Sequence, residues 1–311
     1  MSTTTSIGRP TDQDYDRLRE VKEFDDSKVG VKGLVDSGIS AIPRFFIHPS
    51  ETLSDIKPNT GPEAGTEIVI PTIDLYGAID DSGRRSEVVE QVARASRELG
   101  FFQIVNHGVP VEVLDRLIGV IKAIHEQPME VKARLYRREM GTGVAFFSNV
   151  DLFQSKAASW RDTLQMRLGP NFPELQAIPE ICRNEIVEWD QQAKGVGELL
   201  MELLCEGLGL NAGRLKEMTC LEARTMVAHY YPHCPQPDLT VGITSHTDPG
   251  VVTMLLQNHI GGLQVKHDGG WVDVQPVPGA IVVNIGDILQ VNITLCVEMF
   301  ILNNSNSKCY R

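Results

Sequence analysis

No apolar run in this 311-residue chain approaches the ~18 residues a membrane-spanning helix needs. The first ten residues are polar and rich in Thr and Ser, without the apolar stretch of a secretory leader, so the expected location is cytoplasmic. Cysteine is sparse and scattered: Cys182, Cys205, Cys220, Cys234, Cys296 and Cys309 contain no C-x-x-C pair, which argues against a disulfide-stapled secreted domain and for a reduced compartment. The Asn292 and Asn303 sequons are therefore read as chance matches. Basic residues are also short, 29 against 41 acidic, and the net charge of -12 works against nucleic acid or an anionic membrane as partner. Two further shortages matter most: no histidine follows His267, and the last arginine is the terminal Arg311.

What is present describes a globular chain, 42% apolar and only 23% charged. Residues 1–66 read as an extension of short helices and loops packed on a larger body, with 50–66 as a surface loop. In 67–180 the spacing predicts a strand over 68–75, a helix capped by Ser86, a buried strand over 101–105 and a helix behind Pro110. A long scaffold helix follows over 180–208, within a segment spanning 181–222, with Trp189, Ala193, Val196, Leu200, Leu203 and Leu204 facing inward.

From 223 to 290 the texture changes to short strands at 225–231, 242–246, 251–257, 263–266, 271–275 and 280–285, separated by Pro, Gly and Asp turns. That pattern points to a sandwich or double-sheet jelly roll rather than a nucleotide-binding fold. Gly141-Thr142-Gly143 is only a fragment of a phosphate-loop motif.

Within this region stands His246-Thr247-Asp248. Two residues apart on a strand project to one face, so an imidazole and a carboxylate here can take adjacent positions on one metal ion. Two histidines and one carboxylate on one face of an octahedron leave open positions for a co-substrate and dioxygen on Fe(II). Alone, the triplet reads more readily as a surface histidine and a turn-capping aspartate before Pro249-Gly250.

The surrounding motifs are more specific: His229-Tyr230-Tyr231-Pro232 upstream, then Gly262-Leu263-Gln264-Val265, Trp271-Val272-Asp273-Val274 and Val283-Asn284-Ile285-Gly286-Asp287. With Ile70-Pro71-Thr72-Ile73-Asp74-Leu75, the segment from Gly100 to Gly108 and Ser159-Trp160-Arg161-Asp162, they resemble the plant iron(II)- and 2-oxoglutarate-dependent dioxygenases. The segment Gly30 to Gly38, with Ile42-Pro43, is similar to the 1-aminocyclopropane-1-carboxylate oxidase homologues, a subgroup that includes deacetoxyvindoline 4-hydroxylase-like enzymes of plant specialised metabolism. The resemblance implies a double-stranded β-helix (jelly roll) behind a helical amino-terminal region, and oxidation of a small organic substrate. It makes His246 and Asp248 iron ligands and Tyr231 a hydrogen-bond donor to 2-oxoglutarate, with ascorbate as a further cofactor. His229 stands where the family usually carries an asparagine near the co-substrate. His107 reads as a turn or packing residue, and His259 and His267 as exposed.

The family's second ligand histidine and its Arg-x-Ser clamp have no counterpart after Gln290; residues 291–311 form an atypical tail rich in Asn. A retained intron or an alternative native terminus would each account for that tail. The expectation is a carboxyl-terminally incomplete jelly roll with little or no activity. The rival readings are a non-catalytic ligand-binding or regulatory form and an ascorbate-using oxidase of the 1-aminocyclopropane-1-carboxylate type.

Overall fold

The computed structural model describes residues 15–55, 68–139 and 143–290. Expectations about 291–311 and the Gly141-Thr142 fragment lie outside them, as does most of the loop expected at 50–66. Eight α-helices occur among the described residues: α1 Arg17–Ser27, α2 Gly30–Asp36, α3 Ser50–Asp55, α4 Ser82–Glu98, α5 Val111–His125, α6 Met129–Lys132, α7 Arg183–Gly207 and α8 Arg214–Glu217. The strands are β1 Thr72–Asp74, β2 Phe101–Val105, β3 Val144–Phe147, β4 Asp162–Arg167, β5 Thr225–Tyr230, β6 Val252–Leu255, β7 Gln264–His267, β8 Gly270–Asp273 and β9 Ile281–Ile285.

They form a four-stranded sheet in the order β1-β2-β9-β6, a three-stranded sheet β3-β4-β5, and a hairpin β7-β8. Only β1 and β2 pair in parallel; every other named strand pair is antiparallel. Alternation along β9 explains the layering, because successive side chains of a strand face opposite sides. Ile281, Val283 and Ile285 join the inner faces of α4, α5 and α7 in the main core, while Val282 packs with Phe101, Val265 and Val274 on the other side. All six residues expected on the inner face of α7 are buried.

The amino-terminal extension docks through one carboxylate. Asp162 is fully buried, and its two oxygens accept from the backbone N–H groups of Val31 (2.7 Å) and Lys32 (2.8 Å) at the start of α2. Gly30, at φ +65°, is required there, since a Cβ would lie 2.6 Å from the Asp162 carboxylate. Burial raises Asp162 to about 6 despite those donors. Phe24, Phe45, Phe46 and Trp160 close the same seam with edge-to-face and tilted ring contacts.

Several expected boundaries move. The cap of α4 is Asp81, not Ser86, because the Asp81 carboxylate accepts from Gly83 and Arg84 N–H. The first strand keeps only Thr72–Asp74 of the expected 68–75, and 50–55 are helical rather than loop. The strand expected over 242–246 does not form: Val241–His246 lie in an irregular segment outside the sheets. Its neighbours explain why. The Tyr231 ring lies against Gly242, where a Cβ would be 2.8 Å from it, and residues 248–251 are held by the backbone amides of Gly286, Asp287 and Ile288 before the β6 ladder begins.

Candidate metal and co-substrate site

His246 and Asp248 meet as the sequence predicts, though from an irregular segment instead of a strand. His246 Nε2 lies 3.6 Å from Asp248 Oδ1. On the far side of the ring, Nδ1 is 2.9 Å from the Thr244 carbonyl, a contact that fixes the ring and selects the tautomer protonated at Nδ1. The other Asp248 oxygen, Oδ2, accepts from Thr253 Oγ1 on β6 and from Asn284 Nδ2 on β9 at 3.1 Å. Thr253 and Asn284 are directly paired across those strands, so the two donors reach Asp248 from one point of the sheet.

The backbone around Asp248 is clamped as firmly as its side chain. Gly286 N–H donates to Val251, Asp287 N–H to Asp248 and Ile288 N–H to Gly250, at 2.9, 2.8 and 3.1 Å. Thr247 Oγ1 adds a 2.8 Å bond to the Asp287 carboxylate. A Cβ at position 286 would come within 2.2 Å of the Gly250 carbonyl oxygen, which explains the glycine of the Asn-Ile-Gly-Asp run.

Facing this cluster is the wall made by β4 and β5. His229 lies on β5 opposite Thr163, whose hydroxyl is 3.0 Å from His229 Nδ1. Burial, then the charges of Arg161, His246 and His125, lower His229 to about 3, so its imidazole is neutral at pH 7. Tyr231 is half exposed, but desolvation of its hydroxyl raises its pKa and keeps it a phenol, outweighing the neighbouring Arg161, whose charge and hydrogen bond act to lower it. Arg161 itself is buried.

As a donor set, His246 and Asp248 suit a divalent transition metal: an oriented imidazole nitrogen beside a carboxylate whose second oxygen is already engaged. No group of three His, Cys, Asp or Glu side chains able to hold a metal occurs among the described residues. The remaining histidines sit elsewhere. His107 Nε2 is 2.9 Å from the Gly279 carbonyl while Nδ1 accepts from Val109 N–H, a turn-packing role. His259 is exposed, whereas His267, expected to be exposed, is largely covered and pairs with Asp268 at 3.3 Å. Sequence reading did not single out Arg161, Thr163, Thr253 or Asn284 as site residues. For Asn284 a signal existed, one amide in the otherwise apolar run Ile281–Ile285.

A jelly roll that holds this His-x-Asp pair on the irregular segment leading into β6, beside a Tyr-bearing β4-β5 wall, defines an oxygenase class. The pattern of the 2OG-Fe(II) oxygenase superfamily matches residues 223–295, and that of the non-haem dioxygenase amino-terminal region matches 70–184. The chain belongs to the 2OG-Fe(II) oxygenase superfamily. It is 48% identical over 275 residues to 1-aminocyclopropane-1-carboxylate oxidase homolog 1 of Arabidopsis thaliana, covering 88% of this chain and 74% of that protein. It is 42% identical over 274 residues to deacetoxyvindoline 4-hydroxylase of Catharanthus roseus, covering 88% and 68%. The crystal structure of JOX2 in complex with 2OG, Fe and JA superposes with TM-score 0.75 at 28% identity, over 91% of this chain and 78% of that one. The expected jelly-roll class and the subgroup resemblance are thus both borne out.

Proposed function

We propose that this fold serves oxidation of a small organic metabolite with Fe(II) and 2-oxoglutarate, and that the 311-residue chain as it stands turns over at a very low rate or not at all. The observation that carries the reading is the 3.6 Å approach of His246 Nε2 to Asp248 Oδ1, with Asp248 Oδ2 already tied to Thr253 and Asn284. His246 and Asp248 would hold the metal, which supplies activation of dioxygen when bound. The chain's own part is to present these two donors, keep His229 neutral and offer the Tyr231 hydroxyl to a carboxylate of the co-substrate. The weakness follows from the donor set: His246 and Asp248 are two where the chemistry needs three, and no third His, Cys, Asp or Glu is grouped with them among the described residues. Losing even a supporting group commonly costs about 10- to 100-fold in metal affinity or activity. Ascorbate, as a reductant of the iron, belongs to the same reading.

Anaerobic titration of the purified chain with Fe(II) and then 2-oxoglutarate tests it, with succinate release measured in air. Expected are weak Fe(II) binding that His246→Ala abolishes, and succinate at background. Robust hydroxylation that His246→Ala removes would refute the impairment; Fe(II) binding indifferent to His246→Ala would refute the metal site.

A further inference from the structure

Arg161 is unused by the site as described so far. It is only 8% exposed, and two of its three guanidinium nitrogens, Nε and Nη1, are buried with no hydrogen-bond partner. Its side chain meets the Tyr231 hydroxyl, and Asp151 acts on it only through space. An arginine does not escape this position by losing its proton, because its guanidinium stays charged in proteins. Buried N–H groups of a charged side chain without acceptors are unfavourable, and the balance shifts when an anion supplies them.

The backbone holds Arg161 in place from both sides. Trp160 N–H donates to Val241, its indole N–H donates to the Pro232 carbonyl at 3.1 Å, and Asp162 is locked on α2. The Arg161 carbonyl accepts from Ser148 Oγ at 3.0 Å. Asp162 pairs with Tyr230 and Thr163 with His229, so alternation puts Arg161 on the same face as Thr163, His229 and Tyr231, and His229 is near enough to His246 for their charges to interact. Thr163 and His229 are occupied with each other and uncharged, leaving the guanidinium and the phenol as the donors of this corner.

We propose that Arg161 and Tyr231 form a subsite for an organic carboxylate. A planar monoanion matches one guanidinium and one hydroxyl in both charge and geometry, whereas a phosphate dianion would call for more positive charge than this corner holds. The carboxylate comes either from 2-oxoglutarate or from the organic substrate. The inference rests on the oxygenase reading only in naming these two sources, since carboxylate binding by the metal-free chain requires no iron.

The test is calorimetric titration of the metal-free full chain with 2-oxoglutarate, 3-phenylpropionate and the neutral 3-phenylpropionamide. At least one carboxylate is expected to bind the unmodified protein ~10-fold more tightly than the amide. Arg161→Gln removes that preference and Arg161→Lys keeps part of it. A response confined to 2-oxoglutarate identifies the co-substrate, and one to 3-phenylpropionate the substrate. Equal binding of carboxylates and amide, no binding of any probe, or a preference that survives Arg161→Gln would each overturn the subsite. Should circular dichroism show Arg161→Gln unfolded, Tyr231→Phe decides: the preference must shrink, and an unchanged one overturns the proposal. Iron binding at His246 and Asp248 is read separately, so either proposal can fail without the other.

Discussion

Strands β6 and β9 are hydrogen-bonded neighbours, yet β9 is buried at all five positions and β6 is only partly buried at all four. The difference lies in what covers them. β9 is flanked by β2 and β6 and packed on both faces, by the helices on one and the Val265 and Val274 cluster on the other. β6 is an edge of its sheet among the described residues, and the segment leading into it carries His246 and Asp248. One side of the sheet is therefore a packed scaffold, and the other exposes side chains to ligands.

Core truncation is the strongest way to break that contrast. Phe102, fully buried on β2, pairs with Val283, and Phe102→Ala is expected to cost about 3–5 kcal/mol through the cavity it leaves. Met254, partly buried opposite the same Val283, should cost roughly 1 kcal/mol when truncated to Ala, because less apolar area leaves contact. Urea unfolding of the two variants makes the comparison, and equal losses would show that the two sides are not mechanically different.

A pH profile sharpens it next. His125, 1% exposed beneath β5, donates from Nε2 to the Ala228 carbonyl and stacks on Tyr230 at 5.2 Å. Burial lowers it to about 4 from its ordinary 6.5. The folded protein therefore binds fewer protons than the unfolded chain below pH 6.5, and stability present above that pH is lost as the pH falls toward 4. At about 1.4 kcal/mol per unit, the loss approaches about 3 kcal/mol. Asp162 acts in the opposite sense: raised to about 6, it contributes stability at low pH that is lost as pH rises through 6. The two partly cancel in wild type, so His125→Phe is the informative variant. Its acid limb should become shallower in denaturation measured from pH 7 to 4, with His48 and His229, also lowered by burial, keeping the remainder, and a limb unchanged from wild type would deny His125 this role.

How much of this was legible depends on distance along the chain. β2 at Phe101–Val105 and the inner face of α7 were readable because their signals, an apolar run and a helical period, are local. His246 and Asp248 were readable as a pair, but their backbone was not. What shapes 242–250 is the Tyr231 ring on Gly242 and the Gly286–Ile288 amides, and neither lies in the segment itself. The Asp162 anchor of α2 spans about 130 residues and leaves no local trace. Arg161 was visible only as part of a family motif; its isolation from acceptors is a property of three-dimensional packing.

The smallest expected change in stability falls on the site side, at Thr253. Its hydroxyl donates to Asp248 Oδ2, and Asn284 Nδ2 reaches the same oxygen at 3.1 Å. Thr253→Val keeps the β-branched shape that suits a strand and deletes only that donor. Because Asp248 is only 20% exposed but keeps the Asn284 donor, unfolding should shift by less than about 1 kcal/mol. Co(II) affinity, followed by its visible absorption, should nevertheless fall ~10-fold, since an unrestrained carboxylate must be ordered by the metal itself. A variant that unfolds as readily as Phe102→Ala would place Thr253 in the scaffold. One that binds Co(II) like wild type would mean that Asn284 and the clamped backbone suffice to orient Asp248.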